Sequence, residues 1–256
     1  MGGNLIIDER ALAAFFLVSA RLAAVLLVTP LGSLAVTPAV RVLLVLALAL
    51  ALTAGLPAAR LPASLGAGAL FAALATEIAV GITMGLGIAV ALAAFSIAGG
   101  MLDVQVGFGI AQVFDPVTRR QAPILTTIFG QLAVVAFFLG DWHLQVLRGL
   151  AYGLGRWPPG GVDWAALDAA RALNHAAALF SLGFALAAPV VFFVFLLDCV
   201  LGVLTRNLPQ MQMFALAIPL KVVAGAMALA LWLAASRGLM ERTYASVFRS
   251  WEALFR

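Results

Sequence analysis

The stretch MLDVQVGFGIAQVFDPVTRRQAP, residues 101–123, stands apart from the lipid-like helix around it. Gly107, Gly109 and Pro116 punctuate it, Val104, Val106, Phe108 and Ile110 alternate with a period of two, and Arg119 and Arg120 form a twin cation. Irregular backbone cannot face hydrocarbon, because each unpaired N–H and C=O there costs several kcal/mol. At membrane depth such a segment must be buried in protein or line a water-filled path. The residues therefore predict a constriction or plug in a conduit.

Outward from this stretch the composition is that of a membrane protein. The chain is 64% hydrophobic and 10% charged, with a mean hydropathy of +1.12, where soluble domains carry roughly 45–50% apolar and about 25% charged residues. Its 256 residues leave room for about six spans with short connections and none for a separate soluble domain. Only Lys221 among the 15 basic residues is a lysine, and the arginines are scattered without interleaved aromatics. That pattern carries no nucleic-acid footprint and fits anchoring at a lipid surface. A single cysteine, Cys199 in an apolar run, excludes an internal disulfide and a multi-cysteine metal site. The first apolar run is preceded by Asp8, Glu9 and Arg10 and interrupted by Arg21, so it is expected to be a retained helix rather than a cleaved signal.

Six apolar stretches stand out, at 11–29, 40–56, 69–98, 123–140, 172–201 and 213–235. Alanine, leucine and valine dominate them, with no sustained strand alternation elsewhere, so the expected fold is all-α. Pro30, Gly32, Pro38, Gly55, Pro57 and Pro62 mark the breaks between the early helices, and Pro158-Pro159-Gly160-Gly161 marks an exposed loop in the polar region 141–171. GVLTRNLPQMQ, residues 202–212, reads as a short turn that makes the last two apolar segments an antiparallel hairpin. Gly81, Gly85, Gly87, Gly99 and Gly100 let helix backbones approach closely, either within one bundle or against neighbouring subunits.

Ionisable residues inside the apolar runs are Arg21, Glu77, Asp198 and Lys221, with Arg41 and Asp103 at the edges. Charges at membrane depth must face protein or water. Being single and far apart, these suit pairing between helices better than a proton relay. No HExxH, GxSxG or P-loop is present, and His143 and His175 are isolated. His143, in Asp141-Trp142-His143 at an expected helix start, suits a capping or interfacial role. The expectation is a chain with no catalytic residue, no cofactor and no metal. Leu208-Pro209-Gln210-Met211-Gln212-Met213-Phe214 alternates glutamine with methionine in the hairpin turn. Methionine adapts to changing surfaces, which suits either gap-filling in a core or a mobile closure at a mouth.

Taken in order, Gly107-Phe108-Gly109-Ile110-Ala111-Gln112-Val113-Phe114-Asp115-Pro116, Ala122-Pro123-Ile124-Leu125, Gly140-Asp141-Trp142-His143, Leu204 to Phe214 and Ile218-Pro219-Leu220-Lys221 resemble the FliR family of type III secretion export-gate subunits, as does the early Pro38-Ala39-Val40-Arg41. The resemblance covers essentially the whole chain. It implies a single export-gate domain, 1–256, with a FliP-like portion at 1–171 that holds a plug loop at 101–123, and a FliQ-like hairpin and C-terminal tail at 172–256. It implies assembly with FliP and FliQ homologues into a helical, cone-shaped channel in the bacterial inner membrane, within the flagellar basal body. FlhB and FlhA would be further partners, with unfolded flagellar proteins as the cargo. Carried over residue by residue, it makes Val106, Phe108, Ile110, Val113 and Phe114 the plug hydrophobes and Gly107 and Gly109 their joints, with Asp115 and Pro116 closing the loop. It places Pro209, Gln210, Met211, Gln212, Met213 and Phe214, with Lys221, at the cytoplasmic entrance.

An arginine count over six crossings sets Arg10, Arg60, Arg148, Arg156, Arg171, Arg237, Arg242, Arg249 and Arg256 against Arg41, Arg119, Arg120 and Arg206, which would put both termini in the cytoplasm. That disagrees with the hairpin placement implied by the resemblance. Helices packed largely against protein need not obey insertion rules, so the resemblance takes precedence. Competing readings are the homologous virulence-type injectisome subunit and a self-contained secondary transporter, which would show a second broken helix matching the first. A membrane enzyme would need motifs that the chain lacks.

Overall fold

The computed structural model describes residues 9–29, 37–62, 66–107, 123–162, 169–207 and 213–254. Among them all regular structure is helical, as expected from the composition: α1 (Glu9–Val28), α2 (Pro38–Ala54), α3 (Ala67–Val106), α4 (Ile124–Leu139), α5 (Trp142–Arg156), α6 (Ala169–Asn207), α7 (Met213–Ala235) and α8 (Arg237–Leu254), with one 3-10 turn at Ala58–Arg60.

Length sorts the six apolar stretches. Among the described residues, helices α1, α3 and the Ala177–Arg206 part of α6 are each long and apolar enough to cross a membrane, and up to five crossings result if the broken pairs α4 with α5 and α7 with α8 each count as one. The 17 residues of α2 reach only about 25 Å at 1.5 Å per residue, against a hydrocarbon core of roughly 30 Å. The arginine count assumed six crossings, where three to five are found among the described residues. Helix α5 begins at Trp142, at the start expected around His143, and runs on through the region read as polar; helix α8, in the region read as a tail, was not foreseen. Both are amphipathic. In α5 the buried residues Val146, Leu150, Gly153 and Leu154 fall on one face; in α8, Met240, Tyr244, Val247 and Trp251 do the same.

The chain divides into two compact units that interleave in sequence, Met1–Ala89 with Asp141–Asn174 and Val247–Arg256, and Val90–Gly140 with His175–Ser246. In the first unit α1 buries Ala14, Leu17, Val18, Arg21, Leu22, Ala24 and Val25, a helical stripe. Gly81 and Gly85 admit α1 so closely that a Cβ on Gly81 would lie 2.5 Å from the Arg21 carbonyl oxygen, and one on Gly85 3.0 Å from the Val28 Cβ. These glycines therefore serve packing within the chain. Trp251 sits over two further glycines: a Cβ on Gly149 would come within 2.5 Å of the indole ring and one on Gly87 within 3.3 Å of its nitrogen.

The same unit holds a buried ion pair. The Arg21 side chain is 1% exposed and that of Glu77 0%, with Arg21 Nε 2.5 Å from Glu77 Oε2. Arg21 Nη2 donates to the Trp157 carbonyl at 3.4 Å, and Gly160 N–H donates to Glu77 Oε1 at 2.9 Å. The Pro158–Gly161 segment, expected as an exposed loop, is thus tied at its base to a buried carboxylate. Trp157 and Pro159 are themselves buried.

In the second unit Tyr244 forms the hub. Its ring stacks on Phe95 at 5.7 Å, meets Phe137 edge-on at 5.6 Å, and its hydroxyl donates to the Ala133 carbonyl at 2.5 Å. Antiparallel pairing of α6 with α7 follows from two contacts. Near the turn Lys221 meets Asp198, and further from it the Trp232 indole donates to the Leu186 carbonyl at 2.7 Å. The expected hairpin is therefore present, but Gly202 to Asn207, read as part of its turn, continue α6 as helix.

Candidate functional site

Helix α3 continues through Val106, so the part of the expected irregular stretch from Met101 to Val106 is helical. Val104 is 77% exposed and Val106 1%; two residues apart, they lie about 200° apart on opposite faces of a helix, not of a strand. Packing overrides the β-branched propensity here. Val106 fills the space left by Gly225 of α7, where a Cβ would lie 2.8 Å from its Cγ2. The chain then turns at Gly107, whose φ of 96° is a backbone conformation that glycine adopts without penalty.

Three anchors hold this end of α3. The first is Asp103, 2% exposed. Its Oδ1 accepts from Leu125 N–H at 2.9 Å, and its Oδ2 accepts from Thr126 N–H at 2.8 Å and from the Thr126 hydroxyl at 2.9 Å. The leading amides of a helix have no partner within the helix, and α4 starts after Pro123, which supplies no side-chain cap. Asp103 therefore caps α4 from a different helix, its negative charge set against the positive end of the helix dipole. The second anchor is polar. Lys221 Nζ lies 2.9 Å from Asp198 Oδ1 and donates to Oδ2 at 3.0 Å, while Gln105 Nε2 donates to the same Oδ2 at 3.4 Å. The third is the contact of Val106 with Gly225.

Of the residues named from sequence, the structure brings together Val106, Gly107 and Lys221 at this junction. Phe108, Gly109, Ile110, Val113, Phe114, Asp115 and Pro116 lie outside the described residues, as do Pro209, Gln210, Met211 and Gln212. Met213 and Phe214 open α7. The ionisable residues inside the apolar runs, Arg21 with Glu77 and Lys221 with Asp198, are paired between helices, in line with the pairing reading. Sequence reasoning missed the capping role of Asp103 and the part played by Gln105. A signal was available for the first: a helix start at a proline with no serine, threonine, asparagine or aspartate to cap it.

The Lys221–Asp198 pair is partly exposed in the chain, at 20% and 37%, and Asp198 lies within a candidate span, so removing one partner leaves a lone charge that costs about 3 kcal/mol where it faces lipid. Reversing one charge is expected to be worse. Asp198→Lys or Lys221→Asp alone sets like charges side by side and should lower the melting temperature of the detergent-solubilised chain. The double reversal should recover most of the loss, since the Gln105 amide offers a donor and an acceptor.

The chain matches the family described as bacterial export proteins, family 1, over residues 12–247. It is 34% identical over 137 residues to the flagellar biosynthetic protein FliR of Bacillus subtilis (strain 168), covering 51% of this chain and 52% of that protein. To FliR of Escherichia coli (strain K12) it is 29% identical over 159 residues, 62% of this chain and 60% of the relative. Yop proteins translocation protein T of Yersinia pestis is 25% identical over 141 residues, 54% of each chain. The chain thus spans about half to three fifths of the length of these relatives. With the match running from the first turn of α1 into α8, the chain belongs to the bacterial export proteins, family 1, the membership its resemblance to FliR implied.

Proposed function

We propose that this chain is a non-enzymatic subunit of a flagellar type III protein-export gate in the bacterial inner membrane. In this reading it joins FliP and FliQ homologues, with FlhB and FlhA, in a conduit for unfolded flagellar proteins, and residues 107–116 act as the plug that seals it, with Val106 as part of the anchor rather than of the plug. Family membership over most of the chain carries the reading of an export-gate subunit. The greater identity to flagellar FliR than to the Yersinia protein favours the flagellar system over an injectisome.

The plug reading has its own support. Gly107 turns the chain out of α3 where α3 meets α4, α6 and α7, and the residues that follow are a glycine-jointed apolar series. A polypeptide conduit must admit an extended chain yet hold back ions when idle. Apolar side chains in a constriction do this by dewetting.

Replacing residues 107–114 by a serine–glycine linker of equal length is the test. The expected result is a rise in ion conductance of cells carrying the assembled gate, with FliP and FliQ homologues still co-purifying. Conductance at background in an intact assembly would overturn the plug. Failure to co-purify with two other small hydrophobic proteins, even in the wild type, would overturn the gate.

A further inference from the structure

We propose that Asp103 is a positioning residue: its carboxylate ties the end of α3 to the start of α4 and so holds together the two stems between which residues 108–122 run. The inference rests on the plug reading only for its consequence, because the tie itself is a matter of three bonds.

Those bonds are unusual in their economy. A helix start usually draws its cap from the residue just before it, and serine, threonine, asparagine or aspartate there serves well. At this start the position is Pro123, with no side-chain bond, and the acceptor comes instead from 22 and 23 residues upstream. Capping α4 and docking α4 on α3 are thereby one event. A local cap would let α4 form while swinging away from α3; a cap from Asp103 does not. The carboxylate is buried, and its charge is answered by two amides, one hydroxyl and the helix dipole. Gly99, one turn earlier on α3, removes the side chain that would otherwise hold the helices apart: a Cβ there would lie 2.6 Å from the Thr126 Cα and 2.7 Å from the Leu125 carbonyl oxygen. The approach and the bonds are matched. The end of α3 and the start of α4 are thereby held at one junction.

The decisive comparison separates a tie from a mere cap. Asp103→Ala removes both. Adding Pro123→Asp restores a local cap for α4 but not the link to α3. Two readouts are needed on the assembled gate: exchange of the Leu125 and Thr126 amides, which reports capping, and the separation of spin labels on the exposed positions Val104 and Thr127, which reports the tie. In Asp103→Ala, the amides should exchange about tenfold faster or more, the scale of a lost charge-assisted bond, and the label separation should lengthen and broaden. The added Pro123→Asp should restore amide protection and leave the separation long. Should the separation stay at its wild-type value in Asp103→Ala, or return with Pro123→Asp, the tie is overturned and Asp103 is a cap alone. Thr126→Val removes only the hydroxyl bond and keeps the shape, so it gives a graded version if Asp103→Ala fails to assemble; no broadening at all in that variant would count against the tie. Ion conductance is read on the same samples and addresses the plug instead. Stems that part while conductance stays at background leave the tie standing and sink the plug.

Discussion

Glu77→Ala is expected to deplete the folded chain from membranes almost completely. The substitution leaves the Arg21 guanidinium buried at 1% exposure with only the long contact to the Trp157 carbonyl, and it removes the acceptor for Gly160 N–H. Taking one partner from a buried ion pair costs roughly 3–5 kcal/mol, against a total stability of about 5–15 kcal/mol for a typical domain. Arg21 lies within a candidate membrane span, where an unpaired arginine is costlier still to place against lipid. Glu77→Gln keeps an acceptor for Gly160 and should be milder. The informative variant is the double change Arg21→Met with Glu77→Leu. It removes both charges together, leaves the Gly160 amide unanswered at about 1–3 kcal/mol and takes from the Trp157 carbonyl only the long Arg21 contact, so it should be better tolerated than Glu77→Ala. Melting of the detergent-solubilised chain, with its steady-state level in membranes, checks the order. Were Glu77→Ala to melt with the wild type, the pair would be carrying no weight.

This pair also shows where reading the sequence stops. Arg21 and Glu77 were legible as charges that had to find partners, because hydrocarbon tolerates neither alone. That they find each other was not legible, since 56 residues separate them and no local spacing encodes that meeting. The all-α fold and the α6–α7 hairpin were legible for the opposite reason: apolar runs and a proline-bearing turn are local signals. Helix α8 was legible in principle. Met240, Tyr244, Val247 and Trp251 recur at helical spacing, but Arg242, Arg249 and Glu241 between them lower the mean hydropathy enough for the stretch to pass as a polar tail. The end of α3 was the hardest. Valines at alternate positions before two glycines look like extended chain, and only the partners across the fold, Gly225 for Val106 and α4 for Asp103, make helix the better solution. The resemblance to FliR supplied the family and the plug assignment; the junction that holds the base of that segment came from the structure.

Gly99 and Gly100 provide the second large effect, as opposite outcomes at adjacent positions. Both lie inside α3, where replacing glycine by alanine gains roughly 0.5–1 kcal/mol of helix propensity. Their surroundings differ. A Cβ on Gly100 meets only the Thr126 hydroxyl, at 3.5 Å, which is ordinary contact. A Cβ on Gly99 would press on Thr126 Cα at 2.6 Å, the Leu125 carbonyl oxygen at 2.7 Å and Thr126 N at 2.8 Å. All three are backbone atoms, so no side-chain rotation relieves the clash and α4 itself must move. Overpacking of this kind costs about 1–3 kcal/mol. Here it also strains the hydrogen bonds from Leu125 and Thr126 to Asp103, whose 2.8–2.9 Å lengths depend on that close approach. Gly100→Ala should therefore melt at or slightly above the wild type, and Gly99→Ala several degrees below it with weakened protection of the Leu125 and Thr126 amides. The helix propensity term is common to both, so the difference between them isolates the packing of α4 on α3. Equal melting of the two variants would mean that the helices are not in contact at this crossing, and the bonds to Asp103 would lose their geometric basis with it.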